Sequence, residues 1–228
     1  MEGCHSGNIV ASLVGAVVSI VAVRLVYVMY WTCRPHRIKQ HRLGTLIVLG
    51  SGGHTAEMLS IINVLQKDTF VPRFYVAAAT DNISLQKAKV LEESLIQKDE
   101  IGKRNIEEVA YFTKIYRSRE VGQSYLTSIC TTLVAMMHAL WLMLKIRPNV
   151  VICNGPGTCV PLCLIAFIFK VAGVRWSSIF YIESIARVRR LSLSGLLLYK
   201  FHIADQVYVQ WPQLQRKYPR AHYVGLLM

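Results

Sequence analysis

The chain has 228 residues, 53% hydrophobic and 17% charged, with a mean hydropathy of +0.36, values that exclude an ordinary water-soluble domain with no membrane contribution. With one bilayer-spanning segment set aside, the remaining length suffices for a single α/β core but not for two. The net charge of +13 suits an anionic membrane surface, an anionic substrate or a nucleic acid, but no paired aromatic RNA-binding motif or zinc-knuckle spacing accompanies it, so no nucleic acid is expected as a partner.

Residues 9–31 form a nearly continuous apolar run that as a helix reaches about 35 Å, enough to cross a bilayer core. The flank at 1–8 carries almost no positive charge, whereas Arg34, His36, Arg37, Lys39, His41 and Arg42 crowd the juxtamembrane linker at 32–42. The positive-inside rule then places Met1 across the membrane and residues 43–228 in the cytosol. A cleaved signal peptide carries its basic residues ahead of the apolar core, so this segment is expected to be a retained, single-pass anchor. Arg24 lies within reach of the basic flank, where it can snorkel to the interface. Ala11, Gly15 and Ser19 make a weak small-residue spacing for helix packing.

Residues 45–49 read as a short buried strand, and Met58, Leu59, Ile61, Ile62 and Leu65 then recur at helical spacing. Gly50, Ser51, Gly52, Gly53, His54 and Thr55 therefore occupy a strand-to-helix turn, where backbone N–H groups and a helix N-terminus favour a phosphate or diphosphate. A purely structural tight turn is the alternative. The dinucleotide pattern fails at Thr55, and no Lys-Ser/Thr pair completes a P-loop. His54 distinguishes this turn, because an imidazole beside an anion site can accept a hydroxyl proton.

A second strand is expected at 73–79, followed by Asp81 as a helix N-cap and a helix over 83–96. A charged loop follows at 97–105, a strand at 108–112, and a loop at 115–120 whose Arg117 and Arg119 suit lipid phosphate or water. The apolar stretch at 125–146 is long enough for a second crossing. A crossing would put the following strand-turn-helix unit in another compartment, so a buried or membrane-apposed helix is expected, with His138 a packed side chain.

The strand-turn-helix pattern then recurs: a strand at 150–153, a second glycine turn through Asn154, Gly155, Pro156, Gly157 and Thr158, and an apolar helix at 160–171. Two such turns at the carboxyl ends of parallel strands open onto one ligand crevice. A strand at 176–182 ends in Glu183 and Ser184, with Arg187, Arg189 and Arg190 close behind. Glu183 is a candidate base or hydroxyl acceptor, or else the partner of one of those arginines in a salt bridge. A helix at 191–201 and a strand at 206–209 follow, ended by Gln210, Trp211 and Pro212. The alternation indicates a Rossmann-like, doubly wound parallel sheet. The six cysteines show no metal-ligand spacing and read as reduced thiols, and no metal or cofactor is expected. The apolar end at Leu226, Leu227 and Met228 is expected to dock a partner, because termini are otherwise polar and frayed.

The strings VLGSGGHTAEML at 48–59, CNGPGTCVP at 153–161, YIESIARVRRLSLSG at 181–195 and VYVQWP at 207–212 resemble one family, the membrane-anchoring subunits of the UDP-N-acetylglucosamine transferase of asparagine-linked glycosylation. The resemblance covers the anchor and the whole remaining chain. It implies the amino-terminal half of a GT-B glycosyltransferase, on the cytosolic face of the endoplasmic reticulum membrane. A separate soluble subunit would bring UDP-GlcNAc, and the acceptor would be dolichyl-diphosphate-GlcNAc. Ser51, Gly52, Gly53, His54 and Thr55 would then lie on a first acceptor loop, and Asn154, Gly155, Gly157 and Thr158 on a second. His54 is the first choice for the base that deprotonates the acceptor 4-hydroxyl, and Glu183 the second. The chain departs from a complete GT-B enzyme in lacking a second Rossmann-like half. A pure membrane scaffold and a membrane-bound nucleotide-cofactor enzyme are the competing expectations.

Overall fold

The computed structural model describes residues 2–32, 42–98, 106–116, 125–155 and 157–227. The basic cluster from Arg34 to His41, most of the charged loop, Arg117, Arg119, Pro156 and Met228 lie outside the described residues. A long helix α1 (Glu2–Thr32) leads into an alternating series: β1 (Thr45–Val48), α2 (Gly53–Val64), β2 (Arg73–Ala78), α3 (Asn82–Lys98), the single turn α4 (Ile106–Val109), β3 (Ala110–Ile115), α5 (Tyr125–Ile146) and β4 (Val150–Asn154). It continues through α6 (Cys159–Ala172), β5 (Ser178–Ile182), α7 (Leu193–Lys200), β6 (Gln206–Val209), α8 (Pro212–Lys217) and β7 (Ala221–Tyr223).

The strands form one seven-stranded sheet in the order β3-β2-β1-β4-β5-β6-β7, with every pairing parallel. All four residues of β1 and all five of β4 are buried, as expected of central parallel strands covered on both faces. Side chains alternate between two cores. Leu46, Val48, Val151 and Cys153 face α5, α6 and α7, while Ile47, Leu49, Val150 and Ile152 face α2 and α3. The strand order reverses at β1, so the crevice between the carboxyl ends of β1 and β4 is the topological switch point where such sheets bind ligands.

Among the described residues, two helices are long and apolar enough to cross a membrane, over Val10–Thr32 and Ile129–Ile146. They differ in packing. The first leaves most of its apolar surface bare, for example at Leu13, Val17 and Val23. The second buries Ala135, Ala139, Leu142 and Met143 against the sheet and exposes Leu133, Met137 and Trp141 on its other side. His138 of α5 lies between the rings of Tyr116 and Trp141, a packed position as expected.

Several expectations are corrected. Arg24 turns inward instead of snorkelling: Nε donates to the Val171 carbonyl at 3.1 Å and Nη2 to that of Lys170 at 3.0 Å. The Lys170 carbonyl also receives the Gly173 N–H at 3.2 Å, and the guanidinium adds its donors at the helix end where the carbonyls carry partial negative charge. The strand expected at 108–112 begins at Ala110, set by its register with Arg73 of β2, and a helical turn precedes it. β7 was not expected at all. Asp81 does cap α3, its carboxylate accepting from the Ser84 amide at 3.0 Å. Cys153, Cys159 and Cys163 are buried free thiols and Cys130 an exposed one.

Candidate functional site

Both glycine turns emerge at the switch point because β1 and β4 are neighbours in register, Val48 pairing with Cys153. In the first turn Gly52 adopts φ 63° and ψ −120°, a conformation open in practice only to glycine. It lets the chain pass straight from β1 into α2, whose first turn carries His54. The turn is tied down from below. Thr55 Oγ1 donates to the Gly50 carbonyl and lies 2.6 Å from Ser84 Oγ, and Ser84 Oγ in turn donates to Asp81 Oδ2 at 2.6 Å. The Thr55 hydroxyl, expected at the ligand, is thus engaged beneath the loop, while Thr55 also lines the same cleft as Ser51 and Gly52.

Ser51 and Gly52 line a cleft of about 640 Å³ whose far wall is Thr80, Asp81, Asn82 and Lys87 at the start of α3. Lys87 is an exposed cation that the sequence pattern did not single out. His54 and the second turn are not part of this cleft wall; they meet on the β4 side of the loop. Gly155, at φ 66°, packs directly on the imidazole: a Cβ there would fall 2.6 Å from His54 Cε1 and 2.9 Å from Nδ1. His54 Nδ1 lies 3.0 Å from Asn154 Oδ1. Gly157 is exposed, and Thr158 is buried with its Oγ1 unpaired among the described residues. The structure therefore gathers Ser51, Gly52, Gly53, His54, Asn154, Gly155, Gly157 and Thr158 around the crevice between β1 and β4.

Glu183 is placed differently. It is fully buried, with Oε2 accepting from Ser192 N at 2.8 Å and Ser192 Oγ at 3.1 Å, and Oε1 from Tyr181 Oη at 3.4 Å. Gly195 is required beside it, since a Cβ would sit 2.5 Å from Oε2. Burial pushes this carboxyl above its ordinary value, with the hydrogen bonds from Ser192 acting in the opposite sense. No salt bridge joins it to Arg187, Arg189 or Arg190, which are exposed.

Glu57 went unnoticed in the sequence. It is 2% exposed and accepts from Asn154 Nδ2 at 2.9 Å and Ser184 Oγ at 2.7 Å, so one carboxylate joins α2 to the end of β4 and the loop after β5. A signal was present: Glu57 stands three residues after His54, on the same face of a helix. At the carboxyl end, Leu227 donates its N–H to Gln210 Oε1 at 3.1 Å and lines an apolar groove with Ile61, Phe70, Phe180 and Tyr208, while Leu226 stays 58% exposed.

The sequence matches the family described as "Oligosaccharide biosynthesis protein Alg14 like" over residues 45–227. It is 42% identical over 208 residues to the UDP-N-acetylglucosamine transferase subunit ALG14 of Rattus norvegicus, covering 91% of this chain and 94% of that one. The subunit of the same name from Yarrowia lipolytica is 41% identical over 216 residues, 93% and 95% of the two chains. That from Homo sapiens is 41% identical over 186 residues, 82% and 83%. Among solved structures, Acinetobacter baumannii MurG superposes with a TM-score of 0.53 at 15% identity, over 80% of this chain and 44% of that one. At that identity the likeness concerns the fold, and this chain spans less than half of the MurG chain. The expected fold class, half of a GT-B architecture, is borne out.

Proposed function

Since the chain belongs to the Alg14 family, we propose that it is the membrane-anchoring, acceptor-binding subunit of a heteromeric UDP-GlcNAc transferase, adding the second GlcNAc to GlcNAc-diphosphate-dolichol. In this reading residues 1–8 are lumenal, 9–31 anchor the chain in the endoplasmic reticulum membrane, 32–42 form a basic linker, and 43–228 face the cytosol. The subunit recruits a soluble catalytic partner that binds the nucleotide sugar, with Leu226, Leu227 and Met228 as the docking end. The observation that carries the proposal is the convergence of two glycine turns and one histidine at the switch point.

The acceptor diphosphate lies along the first turn, where the backbone of Ser51, Gly52 and Gly53 and the positive end of α2 favour an anion. Lys87 adds a cation across the cleft. Gly155, Gly157 and the Thr158 hydroxyl, unpaired among the described residues, stand on the β4 side of the turn beside His54. The acceptor 4-hydroxyl oxygen attacks the anomeric carbon of the donor sugar, the bond from that carbon to the diphosphate breaks, and UDP departs with the electron pair. The hydroxyl proton passes to His54. Glu183, enclosed by Ser192 and Tyr181, fixes the loop between β5 and α7 in this account.

His54→Ala in the co-purified complex tests the assignment. An assembled complex whose turnover falls about 10²-fold or more supports it. Undiminished turnover would leave the chain a scaffold with structural turns.

A further inference from the structure

Resting on the reading of His54 as base, we infer that Glu57 and Asn154 are positioning residues that hold the His54 imidazole in the one tautomer able to take a proton from the acceptor. Glu57 is buried at the far end of this chain of contacts. An ionised carboxylate only accepts hydrogen bonds. Each of its partners is a donor: Asn154 Nδ2 at 2.9 Å, Ser184 Oγ at 2.7 Å, Ile185 N at 3.4 Å and Gln210 Nε2 at 3.4 Å. Ser184 Oγ receives the Ala186 N–H at 3.3 Å, which directs its own proton to Glu57. Gln210 is oriented independently, because its Oε1 accepts the Leu227 N–H and its Nε2 also donates to the Glu183 carbonyl at 3.1 Å.

The amide of Asn154 has two orientations, and Glu57 selects between them. Turned the other way, Asn154 would set its oxygen 2.9 Å from a carboxylate oxygen in a site where both residues are essentially buried. Repulsion between two acceptors without water to separate them rules that orientation out. Oδ1 therefore faces His54 Nδ1 at 3.0 Å, and that nitrogen must carry the proton. Nε2 is left with its lone pair. A ring flip would put Cδ2 in place of Nδ1 and lose the bond to Asn154, and the missing side chain of Gly155 leaves the ring its room, since a Cβ there would fall 2.6 Å from Cε1.

The chain His54–Asn154–Glu57 thus works as a histidine with a fixed orienting partner, the carboxylate acting through a neutral amide. Because the amide is neutral, the imidazole gains no adjacent negative charge, and the carboxylate's influence on it is chiefly geometric.

The test compares Glu57→Gln, His54→Ala and the double variant in the full chain co-purified with its soluble partner. Glu57→Gln lets Asn154 turn over, so kcat falls about tenfold or more while the acceptor KM stays within about twofold. Added to His54→Ala, it produces no further loss. Wild-type kcat in Glu57→Gln, or losses that multiply in the double variant, overturns the inference. Full turnover in His54→Ala instead overturns the reading of His54 as base, which separates the two failures. Should Glu57→Gln not assemble, ¹⁵N NMR of the histidine-labelled complex reads the tautomer directly. His54 carries its proton on Nδ1 in the wild type and loses that preference in Asn154→Ala; a proton on Nε2 in the wild type, or an unaltered tautomer in the variant, overturns the inference.

Discussion

Replacing Gly155 by Ala strikes the contact between the two turns. The new Cβ would meet His54 Cε1 at 2.6 Å, whereas an ordinary carbon–carbon contact lies near 3.6 Å, so the ring must retreat by about 1 Å. That retreat breaks the 3.0 Å contact with Asn154 Oδ1. An alanine at φ 66° also carries a backbone penalty of about 1–2 kcal/mol. A displacement of about 1 Å at a catalytic group lowers turnover about 10²-fold. The assay is kcat of the assembled complex with a GlcNAc-diphosphate-lipid acceptor, read beside its thermal midpoint. Gly173→Ala is the control: φ is 74°, so the backbone penalty is similar, but the site is the C-cap of α6, where the new Cβ meets the end of the Arg24 side chain. Its complex melts lower and turns over normally. Gly155→Ala with wild-type kcat would refute the reasoning, because the imidazole would then have no need of its place against the second turn.

Other substitutions separate the remaining roles. Lys87→Gln raises the acceptor KM about two- to fivefold with kcat unchanged, in keeping with one exposed charge, and an unchanged KM removes it from the diphosphate site. Arg24→Leu keeps the apolar surface but loses both bonds to the end of α6, lowering stability by about 1–3 kcal/mol; an unaltered thermal midpoint contradicts the capping role. Burial holds the Glu183 carboxyl above its ordinary value, so the folded state keeps that proton to higher pH than the unfolded chain. Its contribution to stability is complete below the ordinary carboxylate value and is lost as pH rises through the folded one. Glu183→Gln should flatten that part of the profile of thermal midpoint against pH, and an identical profile would show the group to be unperturbed. Truncation after Val224 abolishes capture of the soluble partner; undiminished capture excludes the terminal residues as the docking end.

The parts legible in the sequence are those whose signal is local. β1 and β4 are unbroken apolar runs because both of their faces are covered, and each ends in glycines, so the two turns and their shared crevice follow from composition and order. β7 left no such trace: it is three residues, Ala221–Tyr223, with only Ala221 buried, and it is a strand by virtue of pairing with β6. Arg24 misled because its partners, the carbonyls at the end of α6, lie 146 and 147 residues away. Glu57 was missed for the same reason. A glutamate on a helix reads as a solvated residue, and only the fold brings Asn154, Ser184 and Gln210 to it across 97, 127 and 153 residues. Glu183 was correctly placed at a strand end, but its neighbours Ser192 and Tyr181 enclose it rather than the arginines that follow it in the chain.

The central claim is that this chain supplies the acceptor half of a transferase and needs a companion for the donor. The full chain is purified from membranes and given UDP-GlcNAc and a GlcNAc-diphosphate-lipid, with and without the soluble protein that co-purifies with it. The account predicts disaccharide-lipid only when both proteins are present, and product formed by the chain alone would contradict it.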